Sequence, residues 1–324
     1  MTKNETTILK GVAILLMLFL HLFNHIDGMC HYFVLLGEEP LCLFMSRATN
    51  PVAFYVLLGG YGLYYVHKKG DKRRITRIIN LFITFWLITT IAVIIFNCLG
   101  RNFFDNNFIL AINVYLGFSP HINHPAWFLL PYALISLSSK HLFDLFDKYK
   151  PWLVIIAMLA FKLITSYIVS RGQNVLPHHE YIYTIVLYFH LLPTFIIGAT
   201  IHRFDIVTYI RERTNPKFAL LLLLCLFIAR CTFTTSIFDT IYAIIFISLF
   251  LCIRRWKFVD LSLEMLGKHS TNIWLIHAYI YGPLLHDYIY GLKFTPLVFL
   301  GLILTSLIAS IAINFIQRPL LISR

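Results

Sequence analysis

The chain has 324 residues, of which 59% are hydrophobic and only 13% charged, yet its formal net charge is +12. A typical globular domain is about 45–50% apolar and about 25% charged, so a compact soluble fold could not bury this composition. The 29 Phe and 18 Tyr exclude a disordered chain. The six cysteines contain neither a CxxC pair nor the ligand spacing of a zinc module.

A hydrocarbon core is crossed by about 20 apolar residues, so the apolar total suits roughly nine or ten spans. Ten apolar segments follow in chain order, at 8–25, 50–67, 77–98, 124–143, 152–170, 181–202, 217–230, 236–253, 268–288 and 295–317, the seventh being short. They predict an all-α polytopic transmembrane bundle. Its single integral-membrane domain covers residues 1–324, with no soluble extra domain after the tenth segment. The first segment is followed by HLFNHIDG, which lacks a small-residue cleavage site, and reads as a retained helix.

The charges orient the bundle. With the N-terminus in the cytoplasm, 21 of the 27 Lys and Arg fall on the cytoplasmic side, five fall outside, and Lys162 lies within a span. This asymmetry is the positive-inside pattern, with both termini cytoplasmic. The basicity therefore reports topology, and a nucleic-acid partner has no support. The longest outer loops, 26–49 and 99–123, are rich in aromatics and His. Cys30 and Cys42 share the first of them and are able to pair. Oligomeric state is not legible in the sequence.

Four groups of residues can carry chemistry. Lys10 and His21 are 11 residues apart, which on a helix leaves them about 20° apart in azimuth and about 16.5 Å apart in rise. A long polar ligand entering from the cytoplasm would meet Lys10 with its anionic end and His21 with its reactive end, where an imidazole serves as general base. The competing reading is a snorkelling Lys and an interhelical His. The first cytoplasmic loop holds six Lys/Arg between Lys68 and Arg77. Arg74 and Arg77 share a face if a helix begins there, and two guanidiniums can clamp a phosphate. Anchoring to anionic lipid explains the same charges.

His190 and His277 fall at depths similar to His21, as interhelical hydrogen-bonding groups or acceptor contacts. The three form no HxxxH pair among themselves, so no metal site is expected. HINHPAWFLLPY (121–132) brings His121, His124 and Trp127 to the outer face, where they suit either an outer substrate or an interfacial belt. Gly59, Gly60 and Gly62 permit close helix contact. Lys162 reads as snorkelling or bundle-facing.

These segments together resemble the acyltransferase-3 family of bacterial integral-membrane O-acyltransferases. Ile8 to His21 is similar to the family's first-helix motif of Arg, ten residues, then His. Pro51–Val–Ala–Phe–Tyr–Val–Leu–Leu–Gly–Gly60–Tyr–Gly resembles the segment written FFxxSGY, and Arg74–Ile–Thr–Arg77 resembles the RxxR motif. Ala126–Trp127–Phe–Leu, Leu191 to Gly198 and Gly267 to His277 resemble three later signatures. Lys10 stands where the family usually has Arg, and Gly59 where it usually has Ser.

The resemblance implies transfer of an acyl group, usually acetyl, from cytoplasmic acyl-CoA. That donor is a substrate; no permanently bound cofactor is implied. The acceptor is a hydroxyl of a cell-surface or secreted glycan or its lipid-linked precursor, and the setting is the bacterial cytoplasmic membrane. His21 would be catalytic, and Lys10, Arg74 and Arg77 would hold the donor's phosphates. The alternative is an exporter or flippase for a polysaccharide or lipid-linked glycan unit.

Overall fold

The computed structural model describes residues 1–25, 39–70 and 73–322. Helix accounts for 81% of the chain, and the described residues form no strand. A bilayer imposes this choice, because a helix satisfies its backbone hydrogen bonds within itself. The principal helices are α1 (Lys3–Phe23), α2 (Val52–Lys68), α3 (Arg74–Cys98), α4 (Leu129–Lys148), α5 (Pro151–Arg171), α6 (Glu180–Arg203), α7 (Pro216–Thr232), α8 (Asp239–Cys252), α9 (Lys257–Tyr279) and α10 (Thr295–Gln317).

Each apolar segment read from the sequence thus lies on a helix. Five of these helices, α1, α3, α5, α6 and α10, are long and apolar enough to cross a membrane by length and composition. The short α7 joins the helix Ile206–Arg213 at a bend of 114°. The ninth segment is corrected at both ends. Helix α9 starts at Lys257, eleven residues earlier than 268, because its first half is amphipathic: Asp260, Glu264 and Lys268 lie on one face, while Leu263, Leu266 and Gly267 are buried. Beyond Tyr279 the helix breaks over Ile280–Leu284, where Gly282 leaves helical geometry beside Pro283, before a short helix at His286–Tyr290. The Cys30–Cys42 pairing lies outside the described residues, because Cys30 does.

The most extensively packed pairs are α1 with α9 and α2 with α6. A methyl group on Gly11 would sit 2.0 Å from the Leu263 carbonyl oxygen, and one on Gly267 would sit 1.9 Å from that of Thr7. Glycine at both places lets the backbones touch, as small residues do between membrane helices. The two helices are parallel, since contacts advance together along both, from Gly11 with Leu263 to His21 with His277. Gly60 and Gly198 join α2 to α6 in the same reciprocal manner, against the carbonyls of Phe195 and Leu57.

Helix α5 packs differently. Of its 21 residues only Lys162, Thr165 and Ser166 are buried, and all three are polar. Its apolar residues, among them Leu153, Ile156, Leu163 and Ile164, are exposed. That inversion is what lipid as a solvent requires, with the apolar side outward and the polar groups turned to the protein.

Candidate active site

One cavity of about 1480 Å³ runs through the bundle and brings together most of the residues singled out in the sequence. Lys10, His21, Arg74 and Arg77 all line it, together with Trp127 and His190. Its volume exceeds the roughly 300–1,000 Å³ of a pocket for one small ligand.

The end of the cavity where α1 and α3 begin is basic. Lys10 lies exposed on it, one helix face below His21 as the 11-residue spacing requires. Helix α3 begins at Arg74, so Arg74 and Arg77 sit in its first turn, on one face. Cations at a helix N-terminus are opposed by the macrodipole, at about 0.3–1 kcal/mol each. An anion placed there would gain from the helix end and the guanidiniums together. Arg74 Nη2 donates to His67 Nδ1 at 3.2 Å, while its buried Nε has no partner. His67 lies 3.4 Å from Asp144, and Lys68 bonds Asp147 at 2.5 Å. Asp147 thus holds Lys68, and the His67 imidazole links Arg74 to Asp144.

A polar ladder that sequence reading missed closes this end. Thr84 Oγ1 donates to Gln317 Oε1 at 3.0 Å, Gln317 Nε2 to Asn314 Oδ1 at 2.6 Å, and Asn272 Nδ2 to the same oxygen at 2.9 Å. It ties α3, α9 and α10 by interhelical hydrogen bonds. Amide side chains within apolar runs were the available signal.

Higher in α1, His21 meets His277. Nδ1 of His21 lies 2.8 Å from Nε2 of His277, and the rings stack with centroids 5.0 Å apart. The partners fix the tautomers. Nδ1 of His277 faces two carbonyl oxygens, of Ile273 at 3.0 Å and Trp274 at 2.8 Å, so it must carry a proton. Nε2 of a neutral His277 is then a lone pair, which accepts the Nδ1 proton of His21. His21 keeps its own Nε2 lone pair, on a side chain that lines the cavity. His277 itself is fully buried and does not line the cavity. The arrangement is that of a base oriented by a second group and ready to take a proton.

The three imidazoles do not converge. His190 pairs with Lys162 instead, whose Nζ lies 3.0 Å from His190 Nε2 and 3.3 Å from the His190 carbonyl. Lys162 is thus bundle-facing. Close by, Asp239 accepts from Arg230 Nη2 at 2.5 Å and from Asn50 Nδ2 at 3.0 Å. His124 is exposed and is an electrostatic neighbour of His21, but it does not line the cavity. Trp127 does, and the ring of Phe128 beside it packs on Trp274. Asn123 Nδ2 and Trp274 Nε1 lock this segment to α9, donating to Leu275 and Pro125 carbonyls at 2.9 Å each. At Gly59, a methyl group would lie 3.2 Å from the Tyr132 ring, so a serine there would require the ring to shift by a few tenths of an ångström.

Among curated proteins and among solved structures none matches this chain. One protein family, described as an acyltransferase domain, matches residues 5–315. That match carries most of the residues that line the cavity, from Lys10 and His21 of α1 to Asn314 of α10, and ends two residues short of Gln317. The chain belongs to the acyltransferase-3 family and is a multi-pass membrane acyltransferase.

Proposed function

We propose that the protein is an O-acyltransferase that moves an acyl group, acetyl first among the candidates, from cytoplasmic acyl-CoA to a hydroxyl of a cell-surface or secreted glycan or its lipid-linked precursor. On this reading all ten principal helices span the bacterial cytoplasmic membrane. The start of α1 and the end of α10 face the cytoplasm, in keeping with the 21-to-5 distribution of Lys and Arg.

The observation that carries the reading is a single cavity with cations at one end and an oriented imidazole farther along it. The donor's phosphates lie against Lys10, Arg74 and Arg77, and its thioester extends toward His21. Nε2 of His21 takes the proton of the acceptor hydroxyl while the oxygen attacks the thioester carbon. The carbon–sulfur bond breaks, and the proton passes to the departing thiolate, giving the ester and free CoA thiol. An acyl-His21 intermediate reaches the same products in two displacements and uses the same nitrogen.

Thiol release from acetyl-CoA by purified protein in lipid, with a glycan acceptor present, tests the reading. His21→Ala is expected to lower kcat by about 10²–10⁴-fold, the usual contribution of a general base. Arg74→Ala with Arg77→Ala is expected to raise the KM for acetyl-CoA at least about tenfold, from the loss of hydrogen bonds to charged groups. A His21→Ala protein with full activity would refute the assignment. A wild-type protein that moves glycan across vesicles without thiol release would favour export instead.

A further inference from the structure

The part of the cavity lined by Lys162, His190, Arg230 and Asp239 has more positive charge and more hydrogen-bond donors than its own groups use. Arg230 is 7% exposed and spends its guanidinium on Asp239 and on the Phe233 carbonyl, 2.6 Å away. Both carboxylate oxygens of Asp239 are occupied, one by Arg230 and one by Asn50. That pair is neutral. Lys162 is 8% exposed and has no carboxylate within 4.0 Å among the described residues. Its two contacts are both with His190. An ammonium has three N–H donors, so one remains unspent.

His190 supplies a second. Because its Nε2 accepts from Lys162, its Nδ1 carries the ring proton, and that buried nitrogen has no partner. Asp239 is an electrostatic neighbour of Lys162 but is already paired with Arg230. A buried cation with no carboxylate of its own, beside an unpartnered buried donor, is costly, and it is tolerated where a ligand provides the missing charge. The chain goes out of its way to do this. Helix α5 fully buries only three residues, and Lys162 is the charged one. In α6, Pro193 cannot donate to the Phe189 carbonyl, which loosens the helix beside the His190 carbonyl that Lys162 touches. Around the cluster, Gln173, Thr194, Thr234 and Ser236 line the same cavity with groups suited to sugar hydroxyls.

We propose that Lys162 and His190 bind an anionic oxygen of the acceptor, so that the enzyme takes a charged saccharide bearing a carboxylate or a phosphate group in preference to a neutral one. The proposal rests on the acyl-transfer reading above and names the substrate class of its second site.

The test uses full-length protein in lipid nanodiscs and one oligosaccharide in three forms: neutral, with one primary alcohol oxidised to a carboxylate, and with that alcohol phosphorylated. Two quantities are read for each, acetyl-CoA thiol release and equilibrium binding in the absence of donor. The wild type is expected to bind at least one anionic form about tenfold or more tightly than the neutral form, the value of one hydrogen bond to a charged group. Whichever anion gains more identifies the source of the charge. Lys162→Met should abolish that preference with acetyl-CoA binding unchanged, and Lys162→Arg should retain part of it. Equal binding of all three forms by the wild type overturns the proposal, and so does a Lys162→Met protein with the preference intact. Absence of thiol release with every acceptor strikes the transferase reading alone, because the binding comparison is read without donor.

Discussion

Two pairs that each contain imidazole, His21 with His277 and His190 with Lys162, border the same cavity and are built on opposite plans. His277 is closed: its Nδ1 is spent on backbone carbonyls, its Nε2 on His21, and its side chain is fully buried. His190 is open: one nitrogen meets Lys162 and the other meets nothing. A closed pair transmits orientation, because every degree of freedom of the outer ring has been assigned before substrate arrives. An open pair transmits demand, because its balance is complete only with a ligand present. The first suits a group that must act on one proton, and the second a group that must recognise a charge.

The largest test of this contrast concerns Arg230. Arg230→Met leaves the largely buried Asp239 carboxylate with Asn50 as its remaining hydrogen-bond partner and Lys162 only as a more distant charge, and breaking such a pair costs about 3–5 kcal/mol. Lys162→Met removes a charge that has no carboxylate partner and should change stability by less than about 1 kcal/mol or raise it. Thermal unfolding in one detergent distinguishes the two. If both lose stability equally, Lys162 belongs to the structural ion network and the contrast fails.

A smaller effect is expected on rate. His277→Gln removes a partner oriented by the backbone and should lower kcat about 10–100-fold with the KM for acetyl-CoA unchanged. His190→Gln should leave kcat nearly intact and raise the acceptor's KM. Equal losses of kcat would mean that both imidazoles serve the proton transfer.

Next comes Gly267→Ala, whose new methyl meets the Thr7 carbonyl and forces α1 from α9, at about 1–3 kcal/mol. Its unfolding midpoint and its kcat should fall together. The smallest effect is expected at Lys268, whose bond to Glu264 is a surface pair one helical turn apart. Lys268→Ala should cost no more than about 0.5 kcal/mol, measured in the same unfolding assay.

Much of the site was legible because it is local. The spacing of Lys10 and His21 puts both on one helix face, and both line the cavity. The pairing of Arg74 and Arg77 depended on a helix starting there, and α3 begins at Arg74. What joins different helices was not legible. His21, His190 and His277 look alike by depth, and only the packing of α1 on α9 and of α5 on α6 sorts them into two pairs. The start of α9 was lost for a different reason: a search for apolar runs passes over Lys257–Lys268, whose buried face is apolar but whose average is not. Arg230 and Asp239 were visible as charges bordering apolar segments, yet their mutual pairing depends on the turn between α7 and α8.

The two glycines of the α1–α9 contact stand ten residues before His21 and ten before His277. The helices therefore work as the legs of a caliper, clasped at the glycines and measuring one equal distance to the imidazole tips. One inserted residue in either leg would swing its ring by about 100° and lift it by about 1.5 Å, and the rings would part. A joint lengthening of both legs by seven residues, about 10.5 Å and about 20° short of two turns, brings the rings back near each other, and so does one of about eleven. The height of the imidazole pair is thus set in steps of whole helical turns, and it can be reset only by changing two distant stretches of the sequence at once.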